Sequence, residues 1–197
     1  VFAFYPNKQM TTGEGGVIVT GDLERAALLR SLRNQGRDED DQWLLHARLG
    51  YNYRMPELSA ALGVAQVERI EELLHKRERV AGIYNERLEV VSGVETLRLA
   101  ATTTRMSWFL YPIRLASEVP RDRVIERLAG KGVPARPYFS AIHLQPFYQN
   151  RFGYREGSFP IAEAAARSIL ALPFYGNMTE AEVEYVCRSI QEVLACL

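Results

Sequence analysis

The feature that most constrains the fold is a helical pattern of apolar residues that runs from Pro56 to Leu88. Apolar side chains recur there at intervals of three and four residues, as on one face of an α-helix. Pro56 can open the helix, because the first turn does not need its missing N–H group. Gly63 interrupts the pattern at a cost of roughly 1 kcal/mol against alanine, unless close packing requires it, and we expect a kink. A helix this long often connects two domains, so we place a domain boundary inside it, between residues 75 and 76.

The part before the boundary has the pattern of an α/β domain. Residues 1–5 and 17–20 predict two short strands. Residues 7–16, rich in glycine and threonine, predict a loop that brings the second strand back to the first. A helix is predicted over residues 22–34, with Asp22 as its N-terminal cap.

The part after the boundary has the pattern of a small α+β domain. Its predicted elements are, in chain order, strands at residues 94–99 and 108–115, a helix at 120–130, a strand at 133–136, and helices at 158–170 and 179–196. Thr179 and Glu182 predict a capping box at the start of the last helix. The predicted fold class is α/β, with the tail of a larger α/β domain over residues 1–75 and a small C-terminal α+β domain over residues 76–197.

Charge and hydropathy exclude some classes of protein. The chain has 24 Lys and Arg against 24 Asp and Glu, which argues against a nucleic-acid-binding protein, since these usually carry a basic excess. No run of about 18 apolar residues predicts a membrane-spanning helix, and no signal-peptide pattern is visible. Cys187 and Cys196 lie nine residues apart on one predicted helix, which disfavours a disulfide. We therefore expect a protein of the reducing cytoplasm.

Lys8 is the strongest candidate for chemistry. It follows the first predicted strand and lies in the glycine- and threonine-rich loop. Desolvation of a lysine favours the neutral amine, which can attack a carbonyl and form a Schiff base. On composition alone, an exposed loop lysine without chemistry is the commoner case. The loop by itself leaves both interpretations open.

The string around Lys8 resembles the lysine segment of the DegT/StrS type of sugar aminotransferases, which are pyridoxal phosphate (PLP) enzymes of fold type I. Further strings resemble the same family in its order and spacing. The matching strings are FAFYPNKQMTTGEGG at residues 2–16, LRNQGRD at 32–38, LGYNYRMPELSAALG at 49–63, and RPYF at 136–139 with IHLQPF at 142–147. Ordered strings are far more specific than one motif, and the resemblance covers the whole chain.

The resemblance implies roles for residues of the first domain, which would be the C-terminal part of the large PLP-binding domain. Lys8 matches the lysine that binds PLP and then moves a proton between the substrate and the cofactor. Asn52 matches a residue that bonds the cofactor phosphate of the other subunit, and Arg54 matches a basic neighbour, so a homodimer with shared active sites is expected. The alternative for Asn52 and Arg54 is a loop that packs before a helix, with Arg54 in a surface ion pair. Glu14 is either an anchoring carboxylate or a turn residue.

The resemblance also implies a substrate. The expected reaction transfers an amino group from L-glutamate to a nucleotide-linked keto-sugar, in amino-sugar biosynthesis. His143 is expected to hold the keto-sugar or the carboxylate of the amino donor, and Tyr138 and Phe139 are expected to line the sugar pocket. The alternatives are a histidine that packs between its neighbours and two aromatic residues that belong to the core of the small domain. Their strings are most similar to those of enzymes acting on 4-keto-6-deoxy sugars, such as perosamine synthase. No metal is expected, because His46 and His75 lack ligands at metal spacing.

Two departures from the family pattern carry expectations of their own. Many members have a phosphate-contacting serine five residues before the lysine, where this chain has Ala3. In the family, certain residues stack on the cofactor ring, pair with its nitrogen and hold its phosphate. These residues lie upstream of the lysine in the sequence. Because the chain starts at Val1 as if inside a strand, we expect it to be about the C-terminal half of an enzyme and inactive alone. The alternative is a non-catalytic fragment, or a regulatory or dimerising domain of the same fold.

Overall fold

The computed structural model describes residues 1–38 and 45–197. The chain divides into two compact units, Val1–Glu71 and Glu72–Leu197. The domain boundary expected between residues 75 and 76 concerns the domains of the whole protein and stays a prediction. The mixture of helices and strands confirms the predicted α/β class.

The first unit holds two very short strands and two complete helices. Its elements are β1 (Phe2–Ala3), β2 (Gly16–Val17), α1 (Leu23–Arg33), α2 (Glu57–Glu68) and the first residues of α3 (Ile70–Leu88). Strands β1 and β2 pair in antiparallel fashion, with Ala3 opposite Gly16. Both are shorter than predicted, because a strand extends only as far as a neighbour takes up its hydrogen bonds, and in the described residues each pairs only with the other.

Local signals in the sequence set the helix ends of this unit. Asp22 caps α1, as predicted, since its Oδ1 accepts a hydrogen bond of 2.9 Å from the Arg25 amide. Pro56 precedes α2 as its cap rather than entering its first turn. The long helical pattern is interrupted at Arg69, between α2 and α3, whereas Gly63, where a kink was expected, lies inside α2.

The second unit is built on a four-stranded antiparallel sheet. Its elements are the rest of α3, β3 (Val94–Thr96), β4 (Tyr111–Leu115), α4 (Arg121–Gly130), β5 (Arg136–Pro137), a 3-10 helix (Ile142–Leu144), α5 (Pro146–Phe152), α6 (Pro160–Ser168), β6 (Ile169–Leu172) and α7 (Glu180–Ala195). The strand order is β3–β4–β6–β5. Helix α4 packs against α7 and β6, and α6 packs against β4.

The end of the predicted helix 158–170 is wrong. Helix α6 stops at Ser168, and the next four residues form β6, a central strand of the sheet. Leu170 lies opposite Ile113 of β4 on one side and Pro137 of β5 on the other. A short apolar run fits a helix or a buried strand equally well, and here the two neighbouring strands decide the outcome.

The core of the second unit lies between the sheet and its helices. Along β4 the buried residues alternate, with Tyr111, Ile113 and Leu115 on the inner face. Tyr84 of α3 stacks on Tyr111 with the ring centroids 4.6 Å apart. Helix α7 closes the core with an apolar face that includes Ile190.

Two further predictions concern α7 and the membrane. The capping box is confirmed, because the Thr179 side chain accepts from the Glu182 amide while the Glu182 carboxylate accepts from the Thr179 amide. Cys187 is buried and Cys196 is exposed, and both are free thiols. None of the described helices combines the length and the apolar character that a bilayer-spanning segment needs.

Candidate active site

The loop that carries Lys8 is folded back on the end of β1. Lys8 is half-buried, and its backbone amide donates a hydrogen bond of 3.0 Å to the carbonyl of Tyr5. The Thr12 amide and the Thr11 hydroxyl both donate to the carbonyl of Phe4, each at 3.0 Å. These bonds hold the backbone on both sides of Lys8, so the loop presents the lysine from a defined position.

Glycine is required where this loop turns. Gly15 has a φ of +148°, and a Cβ there would lie 2.5 Å from the buried Thr12 Oγ1. That hydroxyl donates to the carbonyl of Glu14 at 2.8 Å, whereas Glu14 itself is exposed. The backbone carbonyl of Glu14 therefore takes part in this turn.

The Lys8 loop also packs on α2. The Thr11 amide donates to Gln66 Oε1 at 3.2 Å, and a Cβ at Gly63 would lie 3.0 Å from Thr12 Cγ2. Close packing thus explains why a glycine interrupts the pattern of α2. The loop and the helix hold each other in place.

Asn52 and Arg54 lie in a segment that pairs with the end of α1. Asn34 and Asn52 form an antiparallel bridge, and the amides of Tyr51 and Tyr53 donate to α1 carbonyls on either side of it. Arg54 Nη1 donates to Asn34 Oδ1 at 2.6 Å. Asn52 is exposed, and its side chain makes no hydrogen bond to any residue in the described ranges. The structure thus brings Asn52 and Arg54 together. Asn34 joins them, because its backbone bridges to Asn52 and its side chain accepts from Arg54. Asn34 is not among the site residues predicted from the sequence.

The three residues expected to bind the sugar all line one cavity of about 680 Å³ in the second unit. The rings of Tyr138 and Phe139 stack with centroids 3.9 Å apart, and Phe139 is 61% exposed. His143 lines the cavity from the 3-10 helix. The two aromatic residues therefore form a wall of the cavity, and neither belongs to the buried core.

His143 is buried and held by specific partners. Its Nε2 lies 2.8 Å from Glu163 Oε1, and its ring packs edge-on against Phe159 and Tyr154. The simple packing between Ile142 and Leu144 that the sequence left open is replaced by this hydrogen-bonded arrangement. The ring also faces the cavity, so a role in binding stays a prediction.

Glu163 is the residue of this region that sequence reasoning missed. It is 3% exposed, and its carboxylate accepts from the Gly157 amide at 3.0 and 2.9 Å and from the Phe159 amide at 3.1 Å. The Gly157 amide above all, followed by His143 and Phe159, holds the pKa of this carboxyl below its usual range against the opposing effect of burial. The sequence signal that could have identified Glu163 is that it is a single acidic residue within the alanine-rich helix α6.

No group of three or more His, Cys, Asp and Glu residues is placed to hold a metal ion in the ranges 1–38 and 45–197. A ring nitrogen of His46 donates to the Gln35 carbonyl at 2.8 Å. The candidate residues of the first unit therefore offer an amine, amides and a guanidinium, and those of the second unit offer aromatic rings, an imidazole and a carboxylate.

A family model for the DegT/DnrJ/EryC1/StrS aminotransferases matches residues 1–191. The chain belongs to this family. The match runs through both units, from the Lys8 loop to α7, and confirms the resemblance that the ordered strings indicated.

Named relatives resemble the chain over almost its whole length. It is 38% identical to GDP-perosamine synthase of Caulobacter vibrioides over 98% of this chain and 52% of that protein. It is 31% identical to the UDP-4-amino-4-deoxy-L-arabinose–oxoglutarate aminotransferase of Shewanella sediminis, over 98% and 54%. The structure of the aminotransferase TlmJ from Streptoalloteichus hindustanus superposes with a TM-score of 0.88 at 27% identity, over 98% and 51%. The chain spans about half the length of the curated relatives it matches.

The side chains of this aminotransferase chain fit part of a PLP site. PLP carries an aldehyde and a phosphate, which call for an amine and for hydrogen-bond donors respectively. Lys8 offers the amine on a firmly held loop, and Asn52 and Arg54 offer neutral and charged donors on another segment of the first unit. The donor set therefore agrees with the cofactor that the family implies.

Proposed function

We propose that the chain is part of a PLP-dependent aminotransferase that transfers an amino group from L-glutamate to a nucleotide-linked keto-sugar, in amino-sugar biosynthesis. The observation that carries the proposal is the position of Lys8 in a loop fixed on both sides by hydrogen bonds to the end of β1. The loop suits a lysine that must hold a cofactor and then act at a defined atom.

The proposed roles in the first unit follow from the donor chemistry. Lys8 would hold PLP through its amine, and Asn52 and Arg54 would donate to the phosphate in the other subunit of a homodimer. When bound, PLP supplies the electron sink for the carbanion formed at the reacting carbon. The Lys8 amine takes the proton from Cα of the amino donor and later returns a proton to the former ketone carbon of the sugar.

Names of relatives support the choice of substrates. The Shewanella sediminis relative is named as an oxoglutarate aminotransferase, and 2-oxoglutarate is what glutamate becomes when it gives up its amino group. The Caulobacter vibrioides relative is named GDP-perosamine synthase, which supports a 4-keto-6-deoxy sugar as acceptor. The aromatic wall of Tyr138 and Phe139 suits the apolar face of a deoxy sugar.

The active enzyme in this proposal is longer than the 197 residues. Helix α2 is apolar, yet it buries none of its residues, and Leu58 is 88% exposed. A helix of that kind normally packs against further protein. We place the enzyme in the cytoplasm, because its two cysteines are free thiols.

Borohydride reduction tests the proposal directly. The chain has three lysines, Lys8, Lys76 and Lys131, and the last two form ion pairs with Glu72 and Glu192. We expect reduction of the purified native enzyme to leave one pyridoxyl group, on the peptide that contains Lys8, and its intact mass to be near twice that of this chain. A native protein with the mass of these 197 residues and no adduct would instead support the non-catalytic alternative.

Asn52→Ala should weaken PLP binding about tenfold, because a hydrogen bond to a charged phosphate contributes about 1.5–3 kcal/mol. PLP titration of the apoenzyme, followed by absorbance, measures the change. Asn177→Ala is the matched control, since Asn177 is an exposed asparagine in a loop of the second unit. An unchanged PLP affinity in Asn52→Ala, with the melting temperature also unchanged, would remove Asn52 from the site.

A further inference from the structure

The hydrogen bonds at Glu163 fix where the proton of His143 lies. The backbone amides of Gly157 and Phe159 can only donate, and both point at Glu163 Oε1, at 3.0 and 3.1 Å. The same oxygen lies 2.8 Å from His143 Nε2. An oxygen that two amides already hold as an acceptor can bond Nε2 only if Nε2 carries a hydrogen.

The second ring nitrogen is then the one that His143 offers to a ligand. His143 lines the cavity, and Nδ1 makes no hydrogen bond to any residue in the described ranges. In the neutral ring with hydrogen on Nε2, Nδ1 is an acceptor. The edges of Phe159 and Tyr154 hold the ring plane, so the direction of that acceptor is fixed as well.

We propose that Glu163 is the positioning residue of this cavity: it fixes the ring and the tautomer of His143, so that Nδ1 accepts a hydrogen bond from a hydroxyl of the sugar substrate. The inference rests on the proposed function for the identity of the ligand. The hydrogen on Nε2 follows from the contacts of Glu163 alone, whereas the acceptor role of Nδ1 belongs to the neutral ring. The arrangement selects for a hydrogen-bond donor at one point of a cavity with aromatic walls.

Two variants of Glu163 distinguish a positioning role of its carboxylate from a space-filling role of its side chain. Glu163→Gln should keep its oxygen at the Oε1 position, where two amides donate, and place its nitrogen at the Oε2 position, where, among the described residues, the Gly157 amide alone donates, at 2.9 Å. Glu163→Ala removes that acceptor. We expect the Michaelis constant of the native enzyme for the keto-sugar to rise about tenfold in Glu163→Ala, with most of the loss recovered in Glu163→Gln.

Two variants of His143 separate the ring nitrogens. Glutamine can place a polar atom near the position of Nε2, and asparagine near that of Nδ1. We expect His143→Gln to keep the contact with Glu163 but to lose affinity for the sugar, and His143→Asn to retain more of that affinity. Glu156→Gln is the control for the loop, because the Glu156 side chain is 82% exposed and pairs only at 3.8 Å with Arg167.

The tautomer has a readout that does not depend on turnover. Solid-state ¹⁵N NMR of the enzyme labelled in its histidine rings distinguishes protonated from bare nitrogens, and His143→Gln assigns the signal among the three histidines of this chain. We expect His143 to be protonated at Nε2 in the native enzyme and in Glu163→Gln. A mixture of the two tautomers is expected in Glu163→Ala. A bare Nε2 in the native enzyme would overturn the inference.

Separate half-reactions tell the possible failures apart. The half-reaction with glutamate contains no sugar, so Glu163→Ala should leave it unchanged while the half-reaction with the keto-sugar weakens. Equal losses in both would show a structural role only and would overturn the inference. If the native enzyme transfers no amino group to any keto-sugar, the proposed function fails, whereas the NMR result still decides the tautomer.

Discussion

Lys8→Ala is expected to lower transamination in the native enzyme by about a thousandfold or more, since it removes both the amine that holds the cofactor and the group that moves the proton. The Lys8 loop owes its shape to the backbone and to Thr11 and Thr12, so the variant should fold and assemble as the native enzyme does. Steady-state rates with glutamate and a keto-sugar, beside sedimentation of the same samples, measure both properties.

The control and a rescue sharpen this test. Lys131→Ala removes an exposed lysine that pairs with Glu192, and it should leave the rate unchanged. A small primary amine in solution should restore part of the proton-transfer rate of Lys8→Ala, because it supplies the missing base. Retained turnover in Lys8→Ala without added amine would contradict the mechanism.

Tyr84→Ala is expected to destabilise the second unit by about 3–5 kcal/mol, the usual cost of truncating a buried aromatic residue. Tyr84 is fully buried, stacks on Tyr111, and donates from its hydroxyl to the Pro173 carbonyl at 2.8 Å. Urea unfolding followed by the fluorescence of Trp108 reports on this core, because that indole stacks on Tyr111 at 5.7 Å. The other tryptophan, Trp43, lies outside the described residues.

Two tyrosine-to-phenylalanine variants calibrate the result. Tyr84→Phe leaves the Pro173 carbonyl without its donor and should cost about 1 kcal/mol. Tyr185→Phe removes an exposed hydroxyl that also donates to a carbonyl, that of Lys131, and should stay within about 0.5 kcal/mol of the native value. Equal effects of the two variants would contradict the assignment of Tyr84 to the core.

Alkaline pH should lower the stability of the native protein more than it lowers the stability of Tyr84→Phe. Burial raises the pKa of the Tyr84 phenol above its usual value of 10.0. The Tyr84 phenol therefore loses its proton at a lower pH in the unfolded chain than in the folded protein. Its contribution to the free energy of unfolding is complete below about pH 10 and is lost as the pH rises above it. The pH dependence of the urea midpoint, compared between the two proteins, measures this difference.

Sequence reasoning succeeded where local chemistry decides the outcome. Asp22 and the Thr179–Glu182 pair cap their helices through contacts within one turn, and both were predicted from the residues alone. Helix α5 carries such signals too, with Pro146 in its first turn and Gly153 in the left-handed conformation at its end, although the predicted elements do not include it.

Contacts between distant residues limited the rest. Nothing near Ile169 says that β4 and β5 leave room for a strand between them, so the local pattern predicts a helix end where the structure has β6. Likewise, His143 and Glu163 are twenty residues apart, and only the fold brings a carboxylate to that ring. The sequence predicted which residues line the cavity through the family resemblance, but the partner that orients His143 required the structure.

The position of β6 in the sheet also sets an order of events during translation. Strands β3 and β4 can pair as soon as both have left the ribosome, but β5 has no neighbour until residues 169–172 emerge. Until then the backbone groups along one edge of β4 have no strand to pair with. This edge stays open while more than fifty residues are added, from Leu115 to Ile169, and unpaired strand edges favour aggregation.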